Sequence, residues 1–259
     1  MSSRLLVSLE GGVKRITFNN PARRNAVDFE TMQLFAETIQ ESFDDETRVI
    51  VITGAGDSFC AGADLQAGLA GGAPRNVELD LREVINPGVM AMRALPKPII
   101  ARVHGHAAGI GCNYALAADI IIASDQAFFT QAFIKIGLMP DGGGTYFLPR
   151  LVGYNKAFEL MALGDPIPAQ QAFEMGMLNR VVSAGELDGA VDAITRRLAD
   201  APPFALAMVK GALTGSLQSD LASALEFEAV GQGACFRTAD FAEGVMAFLQ
   251  KRKAVFTGK

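Results

Sequence analysis

The sequence predicts an α/β protein in which short buried strands alternate with helices. Residues 99–103 form an apolar, β-branched run between Pro98 and Gly105, which is typical of a buried strand. Residues 48–53 form a second, nearly continuous apolar run, which predicts a strand covered on both faces. The order strand, strand, helix recurs over the first two thirds of the chain, as an α/β architecture requires.

The other elements follow from local patterns. Two alternating segments flank Gly11 and Gly12 and predict a β-hairpin, and Asp28 is a candidate N-cap for the helix that follows it. Residues 66–76 are rich in Gly and Ala without periodicity, which indicates a mobile surface segment, and a helix is expected over residues 77–95. Further strands and helices are expected at residues 119–123, 127–131, 155–163, 168–175, 178–182, 222–234 and 240–250.

The composition excludes several classes of protein. A chain of 259 residues that is 50% hydrophobic can bury a full core, and its net charge of −5 argues against a nucleic-acid-binding surface. The cysteines Cys60, Cys112 and Cys235 are widely spaced, which predicts free thiols in a reducing compartment and no zinc site. No segment reaches the roughly 18 apolar residues of a membrane span. We therefore expect a soluble, cytoplasmic protein without a membrane partner.

A glycine-rich turn follows the strand at residues 99–103. Gly105, Gly109 and Gly111 separate it from an Ala-rich helix expected over residues 112–118. The first N–H groups of such a helix lack intrahelical partners, and the helix dipole favours negative charge there. The order G-x-x-x-G-x-G differs from a dinucleotide fingerprint, and no G-K-[ST] follows. Two interpretations remain: an anion site, or small residues that let a helix pack closely on a strand.

The loops at residues 58–65 and 105–111 each follow an apolar strand. They can direct backbone N–H groups at one point. A converging pair of donors is what an oxyanion hole needs, because it meets charge as it develops on a carbonyl oxygen.

Several motifs, in order and in register, resemble the crotonase (enoyl-CoA hydratase/isomerase) superfamily. They are P-A-R-R-N-A at residues 21–26, F-C-A-G-A-D-L at 59–65, V-H-G-H-A-A-G-I-G-C at 103–112 and G-L-M-P-D-G-G-G-T at 137–145. The resemblance continues to the C-terminal tail. It implies a crotonase fold with a core of ββα turns wound into a superhelix over residues 1–200. It also implies coenzyme A thioester substrates and a helical region over residues 201–259 that builds trimers or hexamers.

By position in these motifs, the resemblance implies that the N–H groups of Ala63 and Ile110 form the oxyanion hole. The family usually has Gly in place of Ile110, whose branched side chain we expect to narrow the acyl pocket. Positions that match coenzyme A contacts in the family are Arg24, Ala26, Ala61, Asp64, Leu65, Phe248 and Lys251, the last two often reaching a neighbouring subunit. Each is equally compatible with ordinary surface or packing, and a structural role is favoured for Asp64 over a catalytic one.

The acid and base groups depart from the hydratase pattern. Hydratases of this family carry two glutamates, and their positions hold Asn113 and Phe133 in this chain. Hydration needs one group to activate water and one to deliver a proton, and neither Asn nor Phe does this at neutral pH. Efficient hydration through the usual pair is therefore not expected.

Asp141 is the remaining acid/base candidate, with a helix N-cap as the alternative. The motif around it resembles the branch that isomerises ring-1,2-epoxyphenylacetyl-CoA in aerobic phenylacetate degradation. That branch places its acid/base aspartate here and also shifts 3-enoyl thioesters to 2-enoyl thioesters. One carboxylate can remove a proton at one carbon and return it at another while the hole carries the oxyanion.

The predicted function is thus an acyl-CoA isomerase, with coenzyme A as part of its substrate and no separate cofactor or metal. Three alternatives share the fold: a hydratase with a displaced base, a dehalogenase-like enzyme with Asp141 as nucleophile, and a non-catalytic acyl-CoA-binding trimer. A hydrolase based on His104 and His106 is disfavoured, since no Ser or Cys has a triad-like context.

Overall fold

The computed structural model describes residues 4–70 and 76–259. Its strands are β1 (Leu5–Glu10), β2 (Val13–Phe18), β3 (Val49–Gly54), β4 (Ile99–Val103), β5 (His106–Ala108), β6 (Ile120–Ser124), β7 (Phe128–Thr130), β8 (Ile167–Pro168) and β9 (Arg180–Val182). Its helices are α1 (Phe29–Glu41), α2 (Leu65–Ala70), α3 (Val77–Asp80), α4 (Asn86–Ala94), α5 (Ile110–Ala117), α6 (Gly144–Val152), α7 (Tyr154–Leu163), α8 (Ala169–Glu174), α9 (Leu187–Ala199), α10 (Pro203–Ser216), α11 (Leu221–Cys235) and α12 (Ala239–Leu249).

The strands form two sheets. The larger has the order β1-β2-β3-β4-β6-β9, in which β1 is antiparallel to β2 and the remaining neighbours are parallel. The smaller has the order β5-β7-β8. The chain passes from β4 in the larger sheet to β5 in the smaller one and then into α5, and it repeats this path through β6, β7 and α6. The predicted strand, strand, helix repeat is therefore confirmed.

Strand β3 shows why its sequence is apolar throughout. Val49 and Val51 belong to a cluster with Val191 of α9, on one face of the larger sheet. Ile50 and Ile52 face the main core on the other side. Because helices cover both faces, successive side chains are all buried, as the continuous apolar run predicts.

Two further local predictions are confirmed. β1 and β2 pair as an antiparallel hairpin, and Gly11 and Gly12 turn the chain with φ of +56° and +78°. The Asp28 side chain accepts a hydrogen bond of 2.9 Å from the N–H of Thr31 and so caps α1.

The turn expected between β4 and α5 contains a strand that the sequence analysis missed. β5 has three residues and pairs in parallel with β7, which is too short a stretch to show periodicity. Helix α5 begins at Ile110, two residues earlier than predicted. Gly109, with φ of +53°, turns the chain directly from β5 into this helix.

The helix expected over residues 77–95 contains a π-helical turn, Leu81–Ile85, between α3 and α4. In this turn the N–H of Asn86 donates to the carbonyl of Leu81, five residues earlier. Pro87 follows directly, and a proline ring clashes with the carbonyl of the fourth residue before it in a regular helix. The wider turn relieves this clash without ending the helix.

The sequence predicts a mobile surface segment over residues 66–76. The segment begins within helix α2, and residues 71–75 lie outside the described residues. The helix starts where it does because the Asp64 carboxylate accepts a hydrogen bond of 3.1 Å from the N–H of Ala67.

Helices α10, α11 and α12 follow residue 200, and α10 is attached to the rest of the protein through a buried ammonium group. Lys210 Nζ donates to the carbonyls of Met92 and Lys97, at 2.9 and 3.0 Å, and to the Asp119 carboxylate at 2.8 Å. Arg93 binds the same carboxylate at 3.1 Å. Burial lowers the pKa of Lys210, and Asp119 opposes this shift.

Other expectations from composition concern thiols, metals and membranes. Cys60 and Cys112 are buried, Cys235 is partly buried, and all three are free thiols. In the part of the chain that the structure describes, His, Cys, Asp and Glu side chains form no group of three or more that could hold a metal ion. The helices in that part are too short or too polar to cross a membrane.

We predict that Lys210→Met lowers the free energy of unfolding by about 3 kcal/mol, because it leaves buried carbonyls and a carboxylate without their ammonium donor. Urea unfolding followed by circular dichroism measures this. Lys156→Met is the matched control, since Lys156 lies in an exposed pair with Glu159 and its replacement is expected to change stability by less than about 0.5 kcal/mol. Equal changes in the free energy of unfolding for the two substitutions would contradict a stabilising role for the Lys210 ammonium group.

Candidate active site

The loop at residues 58–64 lies beside β5 through backbone hydrogen bonds. The N–H of Cys60 donates to the carbonyl of His106 at 3.0 Å, and the N–H of Ala108 donates to the carbonyl of Cys60 at 2.9 Å. Two glycines allow the loop to come this close to the segment that contains β5 and the start of α5. A Cβ on Gly105 would lie 1.9 Å from the Asp57 carbonyl oxygen, and a Cβ on Gly111 would lie 2.5 Å from that of Cys60. The structure therefore brings together the two loops predicted to form an oxyanion hole.

On its other side the same loop pairs with Val27. The N–H of Val27 donates to the carbonyl of Gly62 at 2.9 Å, and the N–H of Asp64 donates to the carbonyl of Val27 at 2.8 Å. In a parallel bridge of this kind, the residue between Gly62 and Asp64 directs its own N–H away from Val27. That residue is Ala63, so its N–H is left for another acceptor.

The peptide units that carry the Ala63 and Ile110 N–H groups are neighbours. A Cβ built on Gly62 would lie 3.7 Å from the Gly109 Cα, and both glycines have positive φ. Ile110 is the first residue of α5, where N–H groups lack intrahelical partners. Within residues 4–70 and 76–259, neither the Ala63 nor the Ile110 N–H has a hydrogen-bond acceptor. Two free backbone donors on adjacent peptides fit an oxyanion hole.

The Ile110 side chain is 2% exposed, and its Cγ1 would lie 3.2 Å from a Cβ on Gly142. It therefore packs against the loop that carries Asp141.

Asp141 does not cap α6, because that helix begins at Gly144 with Gly143 as its N-cap. The N-cap alternative is thus wrong. Asp141 Oδ1 is buried and has no hydrogen-bond partner among the residues that the structure describes. Burial raises the pKa of this carboxyl to about 6, although its own backbone N–H acts in the opposite direction. A carboxyl with a pKa near neutrality is suited to general acid/base catalysis.

The two positions that hold glutamate in hydratases carry no ionisable group here. Asn113 is wholly buried: its Nδ2 donates to the Asp141 carbonyl at 2.7 Å, and its Oδ1 accepts from Gln131 Nε2 at 2.8 Å. The Phe133 ring packs beside Gly109, 3.7 Å from the place of a Cβ on that residue. Sequence reasoning missed Gln131, since nothing in the local pattern distinguishes it from a surface glutamine.

Five of the proposed coenzyme A contacts lie around the loop at residues 58–64. Asp64 is engaged structurally, because its carboxylate accepts hydrogen bonds of 2.6 and 2.7 Å from Arg23 and also caps α2. Its pKa is lowered by the Ala67 N–H and by Arg23, which together outweigh burial. Sequence reasoning missed Arg23, although it is adjacent to the predicted Arg24. The others are Arg24, Ala26, Ala61 and Leu65.

Arg24 has positive φ, and its carbonyl accepts from the N–H of Ala61 at 2.9 Å. Its guanidinium lies 3.5 Å from His106 Nε2. Ala26 is bonded through its carbonyl to the Asn20 side chain, and Leu65 is about half exposed.

Phe248 and Lys251 are not part of this cluster. They lie at the end of α12 and beyond it, and both are exposed. Phe248 lines an apolar cavity of about 410 Å³ between α10, α12 and the C-terminal segment. None of the residues that line this cavity belongs to the loops that carry Ala63, Ile110 or Asp141.

Both histidines have contacts that offer no support for a hydrolase. His104 has Nδ1 2.8 Å from an Arg102 nitrogen and Nε2 2.9 Å from the Gly56 carbonyl. Burial and Arg102 lower the pKa of His104. His106 stacks on Phe128.

Comparison with known proteins identifies the family. Residues 8–259 match the family described as enoyl-CoA hydratase/isomerase. The chain belongs to this family. It is 40% identical to 1,2-epoxyphenylacetyl-CoA isomerase of Escherichia coli K12, over 98% of both chains. It is 36% identical to crotonyl-CoA hydratase of Syntrophomonas wolfei, again over 98% of both.

Solved structures of the enoyl-CoA hydratase/isomerase family share the architecture. The crystal structure of an enoyl-CoA hydratase from Bacillus anthracis superposes with a TM-score of 0.94 at 31% identity, over 99% of this chain and 100% of that one. The expected crotonase fold is therefore confirmed.

We predict that Asp141→Asn stabilises the folded protein above about pH 6 by about 3 kcal/mol. The folded carboxyl has a pKa of about 6 against an ordinary value of 3.8, so folding disfavours its ionised form. Wild type therefore loses stability relative to the variant as pH rises between these values, and the two are equal below both. Urea unfolding at about pH 8 and about pH 4 measures the difference.

Asp165→Asn serves as the control, because Asp165 is an exposed partner of Lys135 and its loss is expected to be nearly neutral at both pH values. If Asp141→Asn were no more stabilising at high pH than at low pH, the raised pKa would be refuted.

Proposed function

We propose that this chain is an acyl-CoA isomerase that moves a proton through a thioester enolate. Its substrates would be 3-enoyl-CoA, converted to 2-enoyl-CoA, and ring-1,2-epoxyphenylacetyl-CoA, converted to the oxepin-CoA. The observation that carries the proposal is Asp141, a carboxyl with a buried, unpartnered Oδ1 and a pKa of about 6, on the loop packed against Ile110.

The proposed oxyanion hole supplies the electrostatic part of catalysis. The thioester oxygen would accept hydrogen bonds from the Ala63 and Ile110 N–H groups, which meet the negative charge that develops when the α-carbon is deprotonated. Loss of one such donor typically costs about 3 to 4 kcal/mol of transition-state stabilisation. Because both donors belong to the backbone of packed loops, they need no reorganisation during the reaction.

Asp141 would shuttle the proton. At neutral pH a carboxyl with a pKa of about 6 is mostly ionised, so it is ready to act as a base. It would remove the C2 proton of a 3-enoyl thioester and return it to C4 of the dienolate, which leaves a conjugated 2-enoyl product. With the aromatic epoxide, the same polarised thioester would assist ring opening to the seven-membered enol ether.

The composition of the site favours isomerisation over hydration. Water addition needs a second acid/base group, and the two relevant positions hold a buried amide, Asn113, and an apolar ring, Phe133. Relatives named as hydratases and as isomerases are both similar to this chain, so the proposal depends on these residues. A dehalogenase-like reaction would instead require covalent attack by Asp141 on the acyl group.

The coenzyme A portion would lie along the surface around Arg24, Ala26, Ala61 and Leu65. Arg24 would meet a phosphate, since its guanidinium is exposed near His106. Asp64 would act indirectly by holding Arg23 and the start of α2. No separate cofactor enters the proposed reaction.

The C-terminal helices would mediate self-association to a trimer, or to a hexamer of paired trimers. Large apolar side chains on α10 and α11 are exposed, including Val209, Leu213, Leu221, Leu225 and Val230. Exposed apolar surfaces of this kind mark interaction sites. Phe248 and Lys251 would then reach the coenzyme A of a neighbouring subunit.

The first test is isomerisation of purified 3-enoyl-CoA, followed by the ultraviolet absorbance of the conjugated product and by mass. We expect conjugation without a mass change in wild type, and a loss of about 10³-fold or more in kcat for Asp141→Asn, which cannot accept the proton. Binding of the thioester should persist in the variant, since the hole is made of backbone.

Asp165→Asn again provides the control for removing a carboxylate from the surface. A mass gain of one water would favour the hydratase alternative. Retained turnover in Asp141→Asn would exclude Asp141 as the group that moves the proton. Covalent labelling of Asp141 would favour the dehalogenase-like reaction. Tight binding of the 3-enoyl and aromatic epoxide thioesters without turnover would favour the non-catalytic trimer.

For assembly, we expect sedimentation equilibrium of wild type to give three or six times the chain mass. The double substitution Leu213→Glu and Leu225→Glu is expected to yield smaller species, because it places charges on an apolar interface. Leu6→Glu, at an exposed position on the edge strand β1, is the control. A monomeric wild type at micromolar concentration would contradict the proposal.

A further inference from the structure

We infer that Asn113 is a positioning residue that fixes the loop carrying Asp141 against the oxyanion hole. The inference rests on the proposed function, in which Asp141 is the proton shuttle and Ile110 supplies one donor. Asn113 contacts both loops, one through its backbone and the other through its side chain.

The backbone contact orients the hole. The N–H of Asn113 donates to the carbonyl of Gly109 at 3.1 Å. This carbonyl belongs to the same planar peptide unit as the N–H of Ile110. Because the two groups point in opposite directions from one rigid plane, the hydrogen bond sets the direction of the Ile110 donor.

The side-chain contact orients Asp141. Asn113 Nδ2 donates to the Asp141 carbonyl at 2.7 Å, and the N–H of Gly144 donates to the same oxygen at 3.1 Å. Two donors on one carbonyl restrict rotation of the peptide that follows Asp141, which fixes the Cα from which the carboxyl extends. The base is thereby held in one position relative to α5.

Gln131 determines which end of the Asn113 amide meets the Asp141 loop. Gln131 is wholly buried, and its Nε2 donates to Asn113 Oδ1 at 2.8 Å. The amide nitrogen of Asn113 is therefore the group left for the Asp141 carbonyl. A glutamate at this position, as in hydratases, would present carboxylate oxygens that cannot donate to a carbonyl when ionised. A glutamate base at position 113 would therefore remove the side-chain hydrogen bond that holds the Asp141 carbonyl.

Close packing supports the same arrangement. A Cβ on Gly144 would lie 2.6 Å from Asn113 Nδ2, so the absence of a side chain at Gly144 lets the two segments meet. On the opposite side of the loop, Gly142 contacts Ile110. The Asp141 loop therefore rests on α5 at two points, Ile110 and Asn113.

The key variant is Asn113→Leu, which keeps the branched shape and removes both side-chain hydrogen bonds. Misplacement of a catalytic group by about 1 Å can cost about 10²-fold in rate. We expect kcat for 3-enoyl-CoA to fall by about that factor, with KM changed by less than about threefold because the contacts to coenzyme A are untouched.

A second readout needs no turnover. The pKa of the Asp141 carboxyl, followed by carbon-13 NMR, is expected to fall from about 6 toward its ordinary value, because a loosened loop admits water. Among the described residues, Tyr114 of α5 is the titratable side chain whose charge couples to Asp141, and burial raises the Tyr114 pKa so that it stays neutral. A general loss of stability would reduce the folded fraction without this shift.

Two further variants keep the test decisive. Leu116→Met alters another buried residue of α5 but leaves the Asn113 side-chain hydrogen bonds and the Gln131 contacts in place, so we expect no change in kcat or in the Asp141 pKa. Gln131→Met keeps Asn113 and frees its amide to rotate, so we expect a smaller loss, about 10-fold in kcat, with the same direction of pKa shift. If Asn113→Leu does not fold, the kcat and the Asp141 pKa of Gln131→Met decide whether the Asn113 side chain positions the Asp141 loop.

The two proposals fail separately. If Asp141→Asn isomerises as fast as wild type, the proposed function is wrong, while the NMR titration still decides whether Asn113 controls the environment of Asp141. If Asp141 is essential, but both Asn113→Leu and Gln131→Met keep the wild-type kcat and pKa, the inference about Asn113 is overturned and the proposed function stands.

Discussion

The site depends on how closely three backbone segments approach one another. The loop at residues 58–64 hydrogen-bonds to Val27 on one side and to β5 on the other. At Gly105 and Gly111 the separation is smaller than any side chain permits. Packing of this closeness restricts the backbone, and it leaves the N–H groups of Ala63 and Ile110 without acceptors among the described residues. Their directions are therefore set by the fold itself.

Burial then gives the site its chemistry. A carboxyl on the surface is a weak base, whereas Asp141 is partly buried, its Oδ1 is shielded from solvent, and its pKa is close to neutrality. Burial alone would leave the group free to adopt several positions. The contacts of Asn113 with Gly109 and with Asp141 supply the missing restraint, and Phe133 keeps a second polar group away from the hole. Reactivity and position are therefore linked, because the contacts of Asn113 that place the Asp141 loop also keep its carboxyl shielded from water.

The elements that sequence reasoning predicted well are those with a local cause. Strand β3 follows from its apolar run, and α1 follows from its cap at Asp28. Strand β5 was missed because its pairing with β7 is a contact between short segments that no local pattern encodes. The interactions of Gln131 with Asn113, and of Arg23 with Asp64, were missed for the same reason, since each partner is ordinary in its own sequence context. Motifs singled out the candidate loops, but only the fold shows which of their polar groups are left unpaired.

A hole made of backbone also bears on how such proteins diverge. Nearly any residue retains the backbone N–H that we propose for Ala63 and Ile110, so a donor pair proposed to stabilise an enolate would survive extensive change in sequence. Acid and base residues can then be gained, lost or moved between positions such as 113, 133 and 141 without rebuilding the activation of the thioester. Relatives at 36% and 40% identity that are named for different reactions fit this pattern. In this architecture, a new reaction requires changes in a few side chains and leaves the inherited scaffold intact.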